Sequence, residues 1–333
     1  MTQINWGMIG AGDVTEVKSG PAFSKVSGSN LVAVMRRNAE KAADYAKRHG
    51  INRWYDDAHA LINDAGVNAI YIATPPDTHE LYTLAALAAG KPVYVEKPMA
   101  LDAASCHRMQ MAAEQAGVKL TIAHYRREQP YFSKIKELLD AGAIGRPLLA
   151  ELKFHQRPLS AETIREPKMQ WRLNPALSGG GLFHDLAPHQ LDLMLHFFGK
   201  AVQSQGFARN QLHQYNADDA VSGQACFENG LLFSGSWMFN APADTDRCLI
   251  TGTDGVLAFS VFSGEAIVLD REQERLSFSF DPLPHVQQPM IAAVVDYFRG
   301  ERDNPCSPAD GVEVLAMMDA FTRNKQAWPA FQP

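Results

Sequence analysis

The stretch Asn5-Trp6-Gly7-Met8-Ile9-Gly10-Ala11-Gly12-Asp13-Val14-Thr15 decides the reading of the fold. Trp6, Met8 and Ile9 read as a short buried strand that empties into a Gly-x-Gly turn, and a helical segment containing Ala22, Phe23 and Val26 follows. Strand, glycine turn and helix together open a dinucleotide fold. Gly10 permits the tight turn, Gly12 lets the backbone approach a pyrophosphate, and the helix start offers N–H groups to its charge. Gly10, Gly12, Asp13 and Val14 are therefore candidate cofactor residues. Thr15 stands where the pattern has its third glycine, and either caps the helix or contacts phosphate. Because Gly-x-Gly also occurs in ordinary turns, the neighbouring segments carry the decision.

Outward from this turn, strand and helix alternate. Leu31 to Met35 is a continuous apolar run, as in a parallel strand buried on both faces, and Ala39 to Arg48 has helical spacing. A short strand near Trp54-Tyr55, a helix across Ala58, Leu61 and Ile62, and a strand Ala69 to Ala73 continue the rhythm. A helix Thr78 to Ala89 closed by Gly90, a strand Pro92 to Val95, a helix Ala103 to Ala116 and a strand Val118 to Ala123 complete it. Such alternation demands right-handed crossovers and a doubly wound parallel sheet, whose ligands sit beyond the carboxyl ends of its strands. The glycine turn, Thr74-Pro75-Pro76 and Glu96-Lys97-Pro98 all stand at such ends.

Two of those ends carry charge. An NAD-binding fold commonly has Asp or Glu after its second strand, to hold the ribose hydroxyls; here Arg36 and Arg37 follow Met35. A guanidinium grips a 2′-phosphate that a carboxylate would repel, so the cofactor expected is NADP(H), with NAD(H) as the alternative. At the fifth strand, Pro98 stops the ladder and leaves Lys97 beside the expected nicotinamide. An ammonium there polarises a carbonyl oxygen or lowers the pKa of a neighbouring acid, and Glu96 can orient it. The same two residues also read as a surface salt bridge.

From about Tyr125 the alternation stops. Gln129 to Ala141 reads as helix, Pro147 to His155 as strand, and Gln156 to Leu177 as a long Pro-punctuated loop carrying Trp171-Arg172. A loop of that length is usually functional or mobile; its aromatic and guanidinium either line a hydroxylated substrate or pin the loop to the core. After Gly179-Gly180-Gly181 a helix is expected to start near Ala187, with Pro188 in its first turn and Gly199 at its end. His189 and Asp192 share one helix face and Asp185 lies one turn upstream. A histidine at a helix start is, on its own, more often a cap or a packing residue. Between Val202 and Phe280 the extended runs are Asp218 to Phe227, Leu231 to Phe239, Arg247 to Thr251, Val256 to Val261, Ala266 to Leu269 and Arg275 to Phe280, with Asn229-Gly230 and Thr253-Asp254-Gly255 as hairpin turns; helices Val286 to Arg299 and Ala309 to Lys325 follow.

The expected architecture is α/β: an N-terminal Rossmann domain over residues 1–124 and an α+β domain over 125–333 with a large, mostly antiparallel open sheet. At 333 residues, with 46% hydrophobic and 20% charged residues, the composition is that of a globular protein with room for two cores. The net charge of −6 and scattered basic residues argue against nucleic acid, and no apolar run suits a membrane. Cys106, Cys226, Cys248 and Cys306 lie far apart, which fits reduced thiols in a cytoplasmic protein, and no Cys/His spacing suits a metal.

These residues resemble the Gfo/Idh/MocA family of NAD(P)-dependent oxidoreductases. The matching pieces are Gly10-Ala11-Gly12, Ala73-Thr74-Pro75-Pro76-Asp77-Thr78-His79, Glu96-Lys97-Pro98 and Gly179-Gly180-Gly181-Leu182-Phe183-His184-Asp185-Leu186-Ala187-Pro188-His189-Gln190-Leu191-Asp192. Thr15 and Arg36 depart from the family pattern, the second away from NAD. The resemblance implies hydride transfer at a secondary alcohol or carbonyl of a sugar, polyol or similar substrate. It implies Lys97 and His189 as catalytic groups, with Asp185 orienting His189 or binding a substrate hydroxyl. It adds Thr74, Pro75, His79, Glu96 and Lys97 to the cofactor set, and Tyr125, Arg126, Trp171, Arg172, Asp185 and His189 to the substrate set. It also implies a homodimer or homotetramer through the C-terminal sheet. Alternatives within the family are a non-catalytic NADP(H)-binding regulator, a dihydrodiol dehydrogenase and a redox-assisted glycoside-cleaving enzyme.

Overall fold

A computed structural model describes residues 2–323. The described residues form two compact units, one from residues 2–137 together with Phe280–Leu315, the other from Leu138–Ser279 with residues 316–323.

The first unit alternates β1 (Ile4–Ile9), α1 (Asp13–Val17), α2 (Gly20–Phe23), β2 (Ser29–Met35), α3 (Ala39–Arg48), β3 (Arg53–Tyr55), α4 (Ala58–Ile62) and β4 (Ala69–Ile72). It continues with α5 (His79–Ala88), β5 (Val93–Val95), α6 (Ala103–Ala116), β6 (Leu120–Ile122) and the start of α7 (Pro130–Asp140). The strands form one sheet in the order β3-β2-β1-β4-β5-β6, parallel throughout. Consecutive apolar residues make strands that are buried on both faces, as β4 and β5 are along their whole length. The order reverses between β1 and β4, so the binding crevice of this Rossmann sheet lies outside the carboxyl ends of those two strands.

The helical segment expected through Val26 is two short helices with Val26 in the turn beyond them. Pro21 has no N–H to continue α1 and stands in the first turn of α2, where none is needed. A Cβ on Gly20 would stand 2.2 Å from Thr15 O and 2.4 Å from Tyr45 Oη, so the break also brings backbone close to backbone.

The second unit contains β7 (Pro147–His155), α8 (Ala161–Arg165), α9 (Pro167–Leu173), α10 (Pro175–Ser178), α11 (Leu182–Phe198), β8 (Ala201–Arg209), β9 (Ala220–Phe227) and β10 (Leu232–Met238). It adds β11 (Thr245–Gly252), β12 (Gly255–Phe259), β13 (Ile267–Arg271) and β14 (Glu274–Phe278). Its sheet runs β14-β13-β12-β11-β7-β10-β9-β8, antiparallel except where β7 meets β10. Gly230 (φ +85°) turns β9 into β10, as the Asn-Gly pair predicts. α11 packs on one face of this sheet: Phe183 and Trp237 rings meet at 5.1 Å, and Trp237 Nε1 donates to Gln190 Oε1 at 2.6 Å.

Three expectations change here. The segment from Gln156 to Leu177 is not a plain loop: Pro167 and Pro175 stand in the first turns of α9 and α10, where a missing N–H costs nothing, and Ser160 and Asn174 cap α8 and α10. α11 starts at Leu182 rather than near Ala187, which puts Pro188 inside the helix, and Gly181 (φ +76°) supplies its N-cap. β8 is a strand that apolar alternation does not announce. Its inward Gly206 leaves room for Phe321, whose Cα would lie 2.8 Å from a Cβ there, while Val202 and Phe207 are exposed.

The chain then returns to the first unit in α12 (Gln288–Arg299), which packs against β1, α2 and the 3₁₀ turn Tyr125–Glu128, and ends in α13 (Pro308–Thr322). Lys325, the expected helix end, lies outside the described residues. No helix among the described residues is long and apolar enough to cross a membrane.

Candidate active site

At the end of β1, Gly10 has φ +95°, and a Cβ on it would lie 2.7 Å from the main chain of Ala73 and Thr74. Only glycine lets the turn seat against β4. A Cβ on Gly12 would meet nothing closer than Gly10 O at 3.8 Å, so this edge of the turn is open and free of side chains. The N–H groups of Asp13 and Val14, at the start of α1, have no acceptor within the helix. The turn therefore fits a pyrophosphate.

The place of Thr15 is settled by its hydroxyl. It accepts the Gly12 N–H at 3.0 Å and donates to Gly12 O at 2.7 Å, and the residue is fully buried. Thr15 closes the helix start from within and does not face a phosphate. α3 anchors the same helix: Tyr45 Oη donates to Thr15 O at 2.9 Å, and Arg48 and His49 bond the Glu16 carboxylate at 2.8 Å. The Arg48 bond is the main reason that Glu16 has its pKa lowered to about 2.

After β2, Arg36 is half-buried and Arg37 exposed; neither guanidinium has an ion-pair partner among the described residues. Arg36 is fixed by its main chain, whose N–H donates to Tyr55 O at 3.1 Å. After β4, the Thr78 hydroxyl joins Thr74 Oγ1 at 2.8 Å and Pro75 O at 3.0 Å. His79 is fully buried with its ring nitrogens 2.8 Å from Thr74 O and 2.9 Å from Pro98 O. Burial holds its pKa below the usual histidine value, against the pull of those carbonyls. The ring lies between the loops that follow β4 and β5 and, when neutral, donates its one N–H to one of the two carbonyls. Glu96 is also buried, whereas Lys97 after β5 is half-buried. At the end of β6, Tyr125 is buried and the Arg126 guanidinium lies over the Tyr125 and Phe132 rings at 5.7 and 5.6 Å.

The second unit brings together Trp171, Arg172, Asp185 and His189. Arg172 stacks on Trp171 at 4.5 Å, donates from Nε to Asp185 at 3.2 Å and from Nη1 to Lys168 O at 2.6 Å. Asp185 and His189 are four apart in α11 and share a face. His189 is buried, with the Phe262 ring edge-on at 5.7 Å. A Cβ on Gly180 would lie 2.1 Å from His184 Nδ1, so the glycines before α11 admit that ring.

Some contributors have no signal in the sequence. Asp246 accepts the N–H groups of Val261, Phe262 and Ser263 at 3.1, 2.6 and 2.7 Å and thereby holds the loop whose Phe262 meets His189. Tyr71 and Gln287 both bond Glu96, and Gln287 is 191 residues away from it. An acidic residue at the start of a strand, or a Gln before a helix, is too common to single out.

Residues 4–124 match the family model of oxidoreductases with an NAD-binding Rossmann fold, and residues 132–258 match the C-terminal domain model of the GFO/IDH/MocA proteins. The chain is 45% identical over 322 residues to oxidoreductase P35 of Formosa agariphila, covering 96% of this chain and 98% of that one. The chain belongs to the Gfo/Idh/MocA family. It is an oxidoreductase of this family, built on the two domain types that the models describe. It is also 28% identical over 319 residues to the 1,5-anhydro-D-fructose reductase of Ensifer adhaerens, with 93% of each chain covered. In fold it is similar to an oxidoreductase domain protein from Kribbella flavida, with a TM-score of 0.84 at 22% identity and 98% of each chain covered.

Proposed function

We propose that this oxidoreductase transfers hydride between NADP(H) and a secondary alcohol or carbonyl of a sugar, polyol or related hydroxylated substrate. The nicotinamide supplies or accepts the hydride when bound. The chain's own residues position the substrate carbon and manage one proton. Lys97 stabilises charge on the substrate oxygen, and His189 takes the proton from that oxygen or returns it. Asp185 orients His189 or receives a substrate hydroxyl, with Trp171 and Arg172 on the same side of α11. The glycine turn, with Asp13 and Val14, takes the pyrophosphate; Thr74 and Pro75 line the cofactor crevice.

What supports this reading is that Lys97 stands directly after β5 in the first unit and that Asp185 and His189 share one face of α11 in the second. A regulator that only senses its cofactor needs neither. The similarity to a reductase of an anhydro-sugar supports a polyhydroxylated substrate. Arg36 carries the cofactor preference, because a guanidinium without an ion-pair partner suits a 2′-phosphate. The exposed face of the second sheet, with Phe207 and Leu232, supports a homodimer or homotetramer.

The test is a panel of sugars, polyols, diketones and dihydrodiols assayed in both directions with each nicotinamide cofactor, together with Kd for NADPH and NADH. NADPH is expected to bind more tightly, and Arg36→Glu to weaken it by about 10–100-fold, the worth of one or two charge-assisted hydrogen bonds. A tenfold preference for NADH in the unaltered protein overturns the cofactor assignment.

A further inference from the structure

Lys97 is gripped on both sides by groups that are distant from it in the chain. On the amino side, the Glu96 carboxylate is 6% exposed and its Oε2 accepts the Lys97 N–H at 3.2 Å. Its Oε1 accepts from the Tyr71 hydroxyl at 2.7 Å and from Gln287 Nε2 at 2.6 Å. Gln287 is itself 1% exposed and located from two directions: Tyr94 Oη donates to its Oε1 at 3.3 Å, and its own N–H donates to Lys18 O at 3.3 Å. On the carboxyl side, His79 ties Pro98 O to Thr74 O.

A carboxylate this deep is expensive to bury unless its oxygens are hydrogen-bonded, and these three donors supply that need. The bonds also remove the rotational freedom of the side chain. With Oε1 held by two donors, Oε2 has one place to stand, under the Lys97 N–H. The fifth strand thus ends in a peptide whose plane is set by residues of β4 and of the segment just before α12.

We propose that Tyr71 and Gln287 are positioning residues for Lys97: by holding the Glu96 carboxylate they orient the Lys97 peptide and hence the direction in which the lysine leaves β5. This rests on the reading of Lys97 as the group that stabilises the substrate oxygen. Its consequence is that a glutamine at the far end of the chain governs the chemical step without touching substrate.

The test uses full-length protein, a substrate found in the panel, and the variants Tyr71→Phe, Gln287→Ala, Gln287→Glu and Lys97→Met. Tyr71→Phe keeps the ring in the core and removes the hydroxyl, which also meets Ser19 Oγ at 3.1 Å. Tyr71→Phe and Gln287→Ala are each expected to lower kcat by about tenfold, a fraction of what misplacing a catalytic group by an ångström costs. Kd for NADPH stays within about twofold, the usual error of independent sites. Gln287→Glu is expected to lose kcat as rising pH ionises the new carboxyl beside Glu96, an additional dependence on top of the pH profile of the unaltered protein. In the Lys97→Met background, Gln287→Ala has no further effect on the residual rate. The proposal is overturned if Lys97→Met abolishes turnover while the Tyr71 and Gln287 variants keep it, or if Gln287→Ala lowers the Lys97→Met rate by the same factor again. Full turnover by Lys97→Met instead removes the underlying reading of Lys97, a separate outcome.

Discussion

Thr15 shows how one hydroxyl can replace a glycine in a nucleotide-binding turn. A third glycine serves close helix–strand packing; here a buried threonine occupies the place and spends its hydrogen bonds on Gly12. Thr15→Val keeps the volume and leaves the Gly12 N–H without its partner. The expected loss is about 1–3 kcal/mol of stability, the cost of an unsatisfied buried donor, read as a lower Tm and as weaker NADPH binding. An unchanged Tm and Kd would show that the hydroxyl does not hold the turn. Glycine and arginine positions were legible because their roles are local: a turn, and the residue after a strand. The partners of Glu96 and His189 were not, because they are set by which segments become neighbours in the fold.

At the scale of elements, α1 depends on α3. Glu16 has a folded pKa of about 2 against an ordinary 4.5, so its bonds to Arg48 and His49 stabilise the fold above pH 4.5 and are lost as pH falls from there towards 2. The carboxylate is 32% exposed, so the effect is modest. His79 acts at higher pH. Its lowered pKa means that the folded state resists a proton that the unfolded chain accepts, and stability falls as pH drops below the ordinary 6.5. Melting temperatures measured from pH 7 to pH 2 are expected to decline in both windows, and Glu16→Gln to lessen the decline only in the lower one, which Asp64 and Asp310, also held below the ordinary carboxylate value, share. A decline below pH 4.5 that Glu16→Gln leaves intact would assign it elsewhere. Elements were legible where period and length agree, as in α6 and β7. Proline was the ambiguous letter: Pro167 and Pro175 read as loop punctuation yet begin helices, and Pro188 lies inside one. In β8 the signal is missing because the inward residue is a glycine that admits Phe321.

For the whole molecule, the alternating first third is a local pattern and the Rossmann sheet follows from it. The return of Phe280–Leu315 to the first unit is not local, since nothing in the spacing of α12 says which surface it will cover. The exposed sheet face of the second unit leads to a prediction about assembly. Phe207 is 56% exposed and Leu232 53%, both on strands of that sheet. Light scattering after size exclusion is expected to give a dimer or tetramer, and Phe207→Glu with Leu232→Glu to lower the mass towards one chain. A monomer at all concentrations would contradict the assignment of that face.

Lys97 and His189 are proposed to perform the proton and charge work of a hydride transfer. The decisive measurement is kcat for Lys97→Met and His189→Asn on a substrate turned over by the unaltered enzyme, with NADPH binding measured in parallel. A fall in kcat of about 10²–10⁴-fold is expected for each, the usual share of a positioned acid or base, with NADPH still bound. Full turnover by both variants would contradict it.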